Sequence, residues 1–239
     1  MVRGFAAYLH SLDPAHQIPP ADLLPRRSRR ATPYLYSDEE IAALLAAAGT
    51  LRFPLRVATY RTLIGLLAIT GMRVGEAIRL DRGDLDFEHD LLVVRDSKFG
   101  KSREVALHPS TMRALRDYLR RRDRLHPPPS APALFISPAG TRLLYCNVHS
   151  TFRQLRRRAG LRPRSASCRP RIHDLRHTFA IRTLLDGYQS DGDVQPRLSL
   201  LATYLGHVHP DSTYWYLSAA PELLALAGRR LERHLGGRP

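Results

Sequence analysis

Apolar positions recur at helical spacing along most of this chain, in blocks separated by glycine, proline and charged turns. Val2, Phe5, Leu9 and Leu12 fall on one face and predict a short helix over Met1 to Leu12. Ser37-Asp-Glu-Glu40 reads as a capping box opening a helix through Ala48, and the run Pro54 to Thr70, apolar on almost every side, predicts a buried helix broken at Gly71. Met72 to Ala77 begins a new helix, with Arg73 at its start. Asp81 to Asp90 reads as turns, and Leu91 to Arg95 and Arg103 to Leu107 as two strands of a hairpin. Further on, Pro109 to Leu125 is an amphipathic helix, Leu134-Phe135-Ile136 a short strand, and Asn147 to Ala159 another helix. A basic loop, Leu161 to Arg171, leads into a helix from Ile172 to about Leu185. After a polar loop, Asp186 to Gln195, an apolar helix runs from about Arg197 to Leu205 and stops at Gly206. Asp211 to Leu217 is a short helical segment and Pro221 to Leu235 a closing helix. The fold class expected is mainly α with a small antiparallel β-hairpin sheet.

Composition changes this picture in two places. Residues 13 to 35 hold Pro14, Pro19, Pro20, Pro25, Pro33 and the run Arg26-Arg27-Ser28-Arg29-Arg30, the signature of an extended basic linker. It suits a strap along a phosphate backbone and a solvated connector equally well. The chain therefore divides into a leading helix and basic Pro-rich linker, residues 1–36, and a compact domain, residues 37–239. A net charge of +15, dispersed over folded segments, points to a polyanion, nucleic acid before membrane. The longest charge-free apolar run, Thr62 to Met72, is too short to span a bilayer, and the first residues lack the regions of a secretory signal. Cys146 and Cys168 lie far apart without metal-ligand spacing, so neither a disulfide framework nor a zinc site is expected, and the compartment expected is the cytoplasm.

Three groups of residues carry candidate chemistry. Of 37 basic side chains only Lys98 and Lys101 are lysine, and both fall on the hairpin turn, where a side chain can reach a ligand. Lysine can give up a proton, a task arginine performs badly. In Ile172 to Ala180, Ile172, Leu175 and Phe179 form a burying stripe, while His173, Arg176, His177 and Ala180 form the stripe beside it, facing a cleft in which Ala180 leaves room. A proton-transfer group and a forked anion clamp then stand side by side. Finally, Arg73 and Glu76 are spaced so that the carboxylate can orient the guanidinium, although the same spacing describes an ordinary surface ion pair.

Taken together, Thr70-Gly-Met-Arg73-Val-Gly-Glu76, the hairpin Lys98, His173-Asp-Leu-Arg176-His177, Leu205-Gly-His207 and Tyr216, nine residues beyond His207, resemble the catalytic domain of the tyrosine recombinases, or phage integrase family. The resemblance runs from about Ser37 to Leu226 and implies a mainly α-helical domain with a small sheet. It implies a site-specific enzyme that breaks and rejoins double-stranded DNA through a 3′-phosphotyrosyl intermediate, without metal, ATP or other cofactor, as a tetramer on DNA.

The catalytic residues implied are Arg73, Lys98, His173, Arg176, His207 and Tyr216. The forks of Arg73 and Arg176 suit the charge that builds on a phosphodiester under attack. A phenol of pKa about 10 needs a base, for which His173 is the candidate. Lys98 is the candidate acid, preferred to Lys101, and His207 would bond the phosphate. Tyr216 is favoured over Tyr214 by its distance from His207, with Tyr214 and Trp215 left to packing or DNA contacts. Family members carry an N-terminal core-binding domain, of which only Met1 to Leu12 would remain here. Three alternatives stand beside this reading: a truncated, recombination-deficient DNA-binding remnant, a nicking and closing topoisomerase, and a His-based phosphohydrolase, the last disfavoured by the +15 charge.

Overall fold

The computed structural model describes residues 2–20, 22–23, 32–95, 100, 102–127, 132–189 and 194–206, with positions 225, 228 and 232 beyond them. The chain forms two compact units, Met1–Ala31 and Thr32–Pro239. In the first, α1 (Val2–Leu12) has the expected amphipathic pattern and buries none of its side chains, so Val2, Phe5, Tyr8 and Leu12 are all exposed. Two bonds fold its tail back, from Arg3 Nε to the Pro19 carbonyl at 3.1 Å and between His10 Nδ1 and the His16 carbonyl at 2.6 Å.

The second unit is built around α3 (Pro54–Thr70), whose proline sits in the first turn, where a missing amide costs no hydrogen bond. Leu55, Tyr60, Leu63, Ile64, Leu66 and Leu67 are all buried, so the helix needs neighbours on several sides. It finds them in α2 (Asp38–Gly49), α5 (Pro109–Leu125) and α7 (Asp174–Gln189). α2 opens as expected: Ser37 Oγ accepts from the Glu40 amide at 3.2 Å, and Glu40 Oε2 accepts from the Ser37 amide at 2.9 Å. α6 (Tyr145–Arg158) packs on α2 and on α4 (Val74–Arg79), while α8 (Val194–Leu205) lies on α7. Ala180, Ile181, Leu184, Leu198, Leu201 and Leu205 make a second apolar cluster between α7 and α8.

A three-stranded antiparallel sheet of order β1-β2-β3 lies beside these helices, formed by β1 (Leu85–Asp86), β2 (Leu91–Val94) and β3 (Arg103–Ala106). Leu92 faces Leu85 on one side and Val105 on the other, and Val94 faces Arg103. Residues directly opposite in an antiparallel pair project to the same face. Leu92, Val94 and Val105 are buried, so the register sends the Arg103 side chain inward with them. No helix among the described residues is long and apolar enough to cross a membrane.

The architecture matches the expectation of a mainly helical chain with a small hairpin sheet, with local differences. Within the turns expected from Asp81 to Asp90, Leu85–Asp86 pairs as a third strand. Leu134-Phe135-Ile136 is not a strand: only the isolated bridges Asp81 to Ala133 and Ile136 to Arg142 form around it, because the segment is held by buried side chains instead of a ladder. α7 runs on to Gln189 and α8 begins at Val194, so most of the polar loop expected between them is helical. The helical segments expected over 211–217 and 221–235 lie outside the described residues, apart from positions 225, 228 and 232.

Gly71 ends α3 in the left-handed conformation, with φ of +58°, and a Cβ there would lie 2.4 Å from Phe179 Cδ1. Both features demand glycine. Gly71→Ala is expected to lower stability by about 2–3 kcal/mol, from backbone strain and the clash together. The measurement is the urea midpoint at constant slope, and a midpoint equal to wild type would refute the packing described.

Candidate active site

Arg73 caps the N-terminus of α4 in an extended conformation, and Glu76 sits three residues into the helix. Glu76 Oε2 accepts from the Arg73 amide at 2.9 Å, while Oε1 accepts from Arg73 Nη1 at 2.7 Å. The pair expected from the spacing exists, but it is not a surface pair: Glu76 is 2% exposed. A second guanidinium reaches the same carboxylate, Arg103 donating from Nη2 to Oε2 at 2.8 Å and from Nη1 to Oε1 at 3.2 Å. Burial pushes the Glu76 carboxyl up, and the charge-assisted bonds from Arg103 and then Arg73 outweigh it, holding the group down at about 2.

The arginines meet at the end of α8. Arg103 Nε donates to the Tyr204 carbonyl at 2.8 Å, Arg176 Nη2 to the Leu205 carbonyl at 2.7 Å, and Arg73 Nη2 to the Gly206 carbonyl at 3.1 Å. Three successive carbonyls of one helix terminus are thus taken by arginines from three other elements. The last carbonyls of a helix have no partners within it and carry a partial negative charge of roughly half a unit. That charge and the Glu76 carboxylate let three guanidiniums gather in one place, with positive charge left over. Arg176 also donates from Nη1 to the Gly71 carbonyl at 2.8 Å, which ties the end of α3 to the end of α8.

His173 directly precedes α7 and is held there by the residues on either side. Asp174, fully buried at the start of the helix, accepts from the Arg171 amide at 2.9 Å, from its Nε at 3.1 Å and from its Nη2 at 2.9 Å. Tyr36 Oη donates to the Arg171 carbonyl at 2.9 Å, pinning the turn from its other side. The His173 residue keeps contact with solvent, while protein surrounds much of its ring. Desolvation, and then the charges of Arg176, Arg171, Arg73 and His149, lower its pKa to about 4. Burial and the neighbouring cations act in the same direction, so the imidazole is neutral at pH 7. Its ring meets that of His177 edge to face, with centroids 4.9 Å apart.

Of the six residues expected to form the site, Arg73 and Arg176 meet at the end of α8 and His173 lies near enough to feel the charge of both, while Lys98, His207 and Tyr216 lie outside the described residues. Lys101, Tyr214 and Trp215 lie outside them too. One part of the expected cleft stripe is corrected. Ala180 leaves no open room: it is fully buried in the α7–α8 cluster. Arg176 is buried as well, at 3% exposure. Arg103 escaped sequence reasoning, although a signal was present. Positions 103, 105 and 107 share a face, and Val105 and Leu107 mark it as the buried one, so a charge on that stripe needs a buried partner.

The Glu76 carboxyl sits at about 2 in the fold against a reference value of 4.5, so the unfolded chain binds more protons between those limits. Its contribution is complete above the upper limit and is lost as pH falls through the lower one. Glu76→Gln, which strands two guanidiniums, is expected to cost about 3 kcal/mol in urea unfolding at pH 7. At pH 3 the gap between wild type and variant should shrink by roughly two thirds. A gap equal at both pH values would contradict this placement of the carboxylate.

Residues 35–222 match the family model for the phage integrase family. "Putative integrase/recombinase y4rB" of Sinorhizobium fredii is 49% identical over 238 residues, which cover 97% of this chain and 76% of that protein. Among solved structures, the XerA recombinase aligns with a TM-score of 0.65 at 26% identity, over 98% of this chain and 74% of that one. The XerH site-specific recombinase bound to palindromic difH substrate, a post-cleavage complex, aligns with a TM-score of 0.64 over 98% of this chain and 64% of its own; at 22% identity it attests the fold alone. By sequence and by fold, the chain belongs to the phage integrase family, the tyrosine-type site-specific recombinases.

Proposed function

We propose that this recombinase breaks and rejoins double-stranded DNA through a 3′-phosphotyrosyl bond, with residues 37–239 as the breaking and rejoining domain. The observation that carries the reading is the meeting of Arg73 and Arg176 on the last turn of α8, the turn from which the chain runs into residue 207. Two forked cations fixed in advance suit the two non-bridging oxygens of a phosphodiester, whose charge grows under attack. XerH, of the same fold, is seen with its DNA substrate, which supports DNA as the partner here.

In the first step the Tyr216 oxygen forms a bond to phosphorus and the bond from phosphorus to the 5′ oxygen breaks. His173, neutral at pH 7, takes the phenol proton, and Lys98 supplies a proton to the departing 5′ oxygen. His207 adds a hydrogen bond to the phosphate. One ester replaces another, so the 5′ hydroxyl of a different strand can reverse the step without ATP. Exchanging two duplexes cuts four strands, each needing its own tyrosine, and this calls for four copies on the DNA.

The test is a pool of nicked duplexes with a randomised central segment, the nick letting the short cleaved strand diffuse away. A detergent-stable protein–DNA adduct is expected for wild type and for Tyr214→Phe, and none for Tyr216→Phe. Arg73→Gln and Arg176→Gln should each slow adduct formation by about 10²–10³-fold. Binding without adduct in wild type would reduce the chain to a DNA-binding remnant, and adduct surviving in Tyr216→Phe would move the nucleophile elsewhere.

A further inference from the structure

Arg103 has no part in the chemistry proposed above, yet it makes three bonds at the site. The strand register sends it to the inward face, where its side chain is 11% exposed. Its two terminal nitrogens hold both oxygens of Glu76, and its Nε holds the Tyr204 carbonyl. Its guanidinium also lies against Gly206, where a Cβ would come within 3.0 Å of Nη1. None of these contacts is to the apolar core. All end on parts of the site: the carboxylate that orients Arg73, and the turn that leads to residue 207.

We propose that Arg103 is a positioning residue, acting through Glu76 on the Arg73 guanidinium and through the Tyr204 and Gly206 backbone on the chain entering residue 207. It also ties β3 to both. The proposal rests on the strand-exchange reading for its effect on rate, though not for its structural content. Serving a carboxylate with two nitrogens and a carbonyl with a third requires the planar fork of arginine, and one ammonium cannot do it. A displacement of about 1 Å in a group that holds the reacting phosphate costs on the order of 10²-fold in rate.

The experiment uses the full chain with Arg103→Met, Arg103→Lys, Glu76→Gln, and the double variant Arg103→Met with Glu76→Gln. Hydrogen exchange is measured segment by segment. Duplex affinity and single-turnover adduct formation are measured on a sequence recovered from the nicked pool. Arg103→Met is expected to slow adduct formation about 10²-fold while affinity stays within about threefold. Arg103→Lys should regain only a small part of the rate, and the double variant should be slower than Glu76→Gln alone by far less than the ~10²-fold effect of Arg103→Met in the wild-type background. Exchange should rise over residues 198–206 and 73–79 and stay unchanged in α2, α5 and α6.

Wild-type rate and wild-type exchange in Arg103→Met would overturn the proposal. So would exchange raised evenly through the fold, or affinity falling in step with rate. Should Arg103→Met fail to fold, Arg103→Lys, which keeps a cation and an alkyl stem, is held to the same readings. If wild type forms no adduct at all, the strand-exchange reading falls, and the exchange pattern alone decides: raised at the two named segments it upholds the positioning role, otherwise it rejects it.

Discussion

Everything assembled at this site depends on the end of one helix. α8 stops at Gly206, and the carbonyls of Tyr204, Leu205 and Gly206 would lack partners within it. Each instead accepts a bond from a different arginine, Arg103 from the sheet, Arg176 from α7 and Arg73 from the cap of α4. Side by side in an apolar setting, three guanidiniums would repel one another strongly. Here the helix terminus and the buried Glu76 carboxylate supply the opposing charge, and neither can drift, because each belongs to a packed element.

The consequence is a set of cations already fixed in place by folding. A guanidinium on a flexible stem loses side-chain freedom when it grips a ligand. Arg73 and Arg176 have lost part of theirs in folding, held through carbonyls and through Glu76. Stabilisation of a transition state by fixed charges is strongest when nothing must reorient at the moment of reaction. Burial lowers the His173 pKa, and the charges of Arg176, Arg171 and Arg73 lower it further. On the proposed strand-exchange reading, one cluster of charge prepares both the receptor for the phosphate and the acceptor for the proton.

Much of this was legible in the sequence, and what was not has a common cause. The capping box at Ser37 and Glu40, the stop at Gly71 and the pairing of Arg73 with Glu76 are written in residues a few positions apart, and the structure has all three. Periodicity also separated the buried stripe of Ile172 and Leu175 from His173, but it treated Ala180 as open space when α8 fills it. The partners of Arg103, Arg176 and Arg73 are backbone carbonyls more than a hundred residues away or on another element, or a carboxylate already assigned elsewhere. A carbonyl is present at every position, so no pattern of side chains points to the three that matter. The short strand β1 was missed for a related reason, because two residues pair only where β2 is already placed beside them.

The two glycines at the centre explain how the parts lock. Gly71 ends α3 and Gly206 ends α8, both at positive φ. That conformation turns the backbone off the helix axis. The Gly71 carbonyl then meets Arg176, and the Gly206 carbonyl meets Arg73, which lies two residues beyond Gly71. Each helix end is therefore held by an arginine that the other end helps to orient, a crossed lacing of two C-termini. A side chain at Gly71 would clash with Phe179, and one at Gly206 would press on the Arg103 guanidinium. Removing the lacing at either position would loosen both arginines together, so the stability of the fold and the placement of the two guanidiniums rest on the same few contacts.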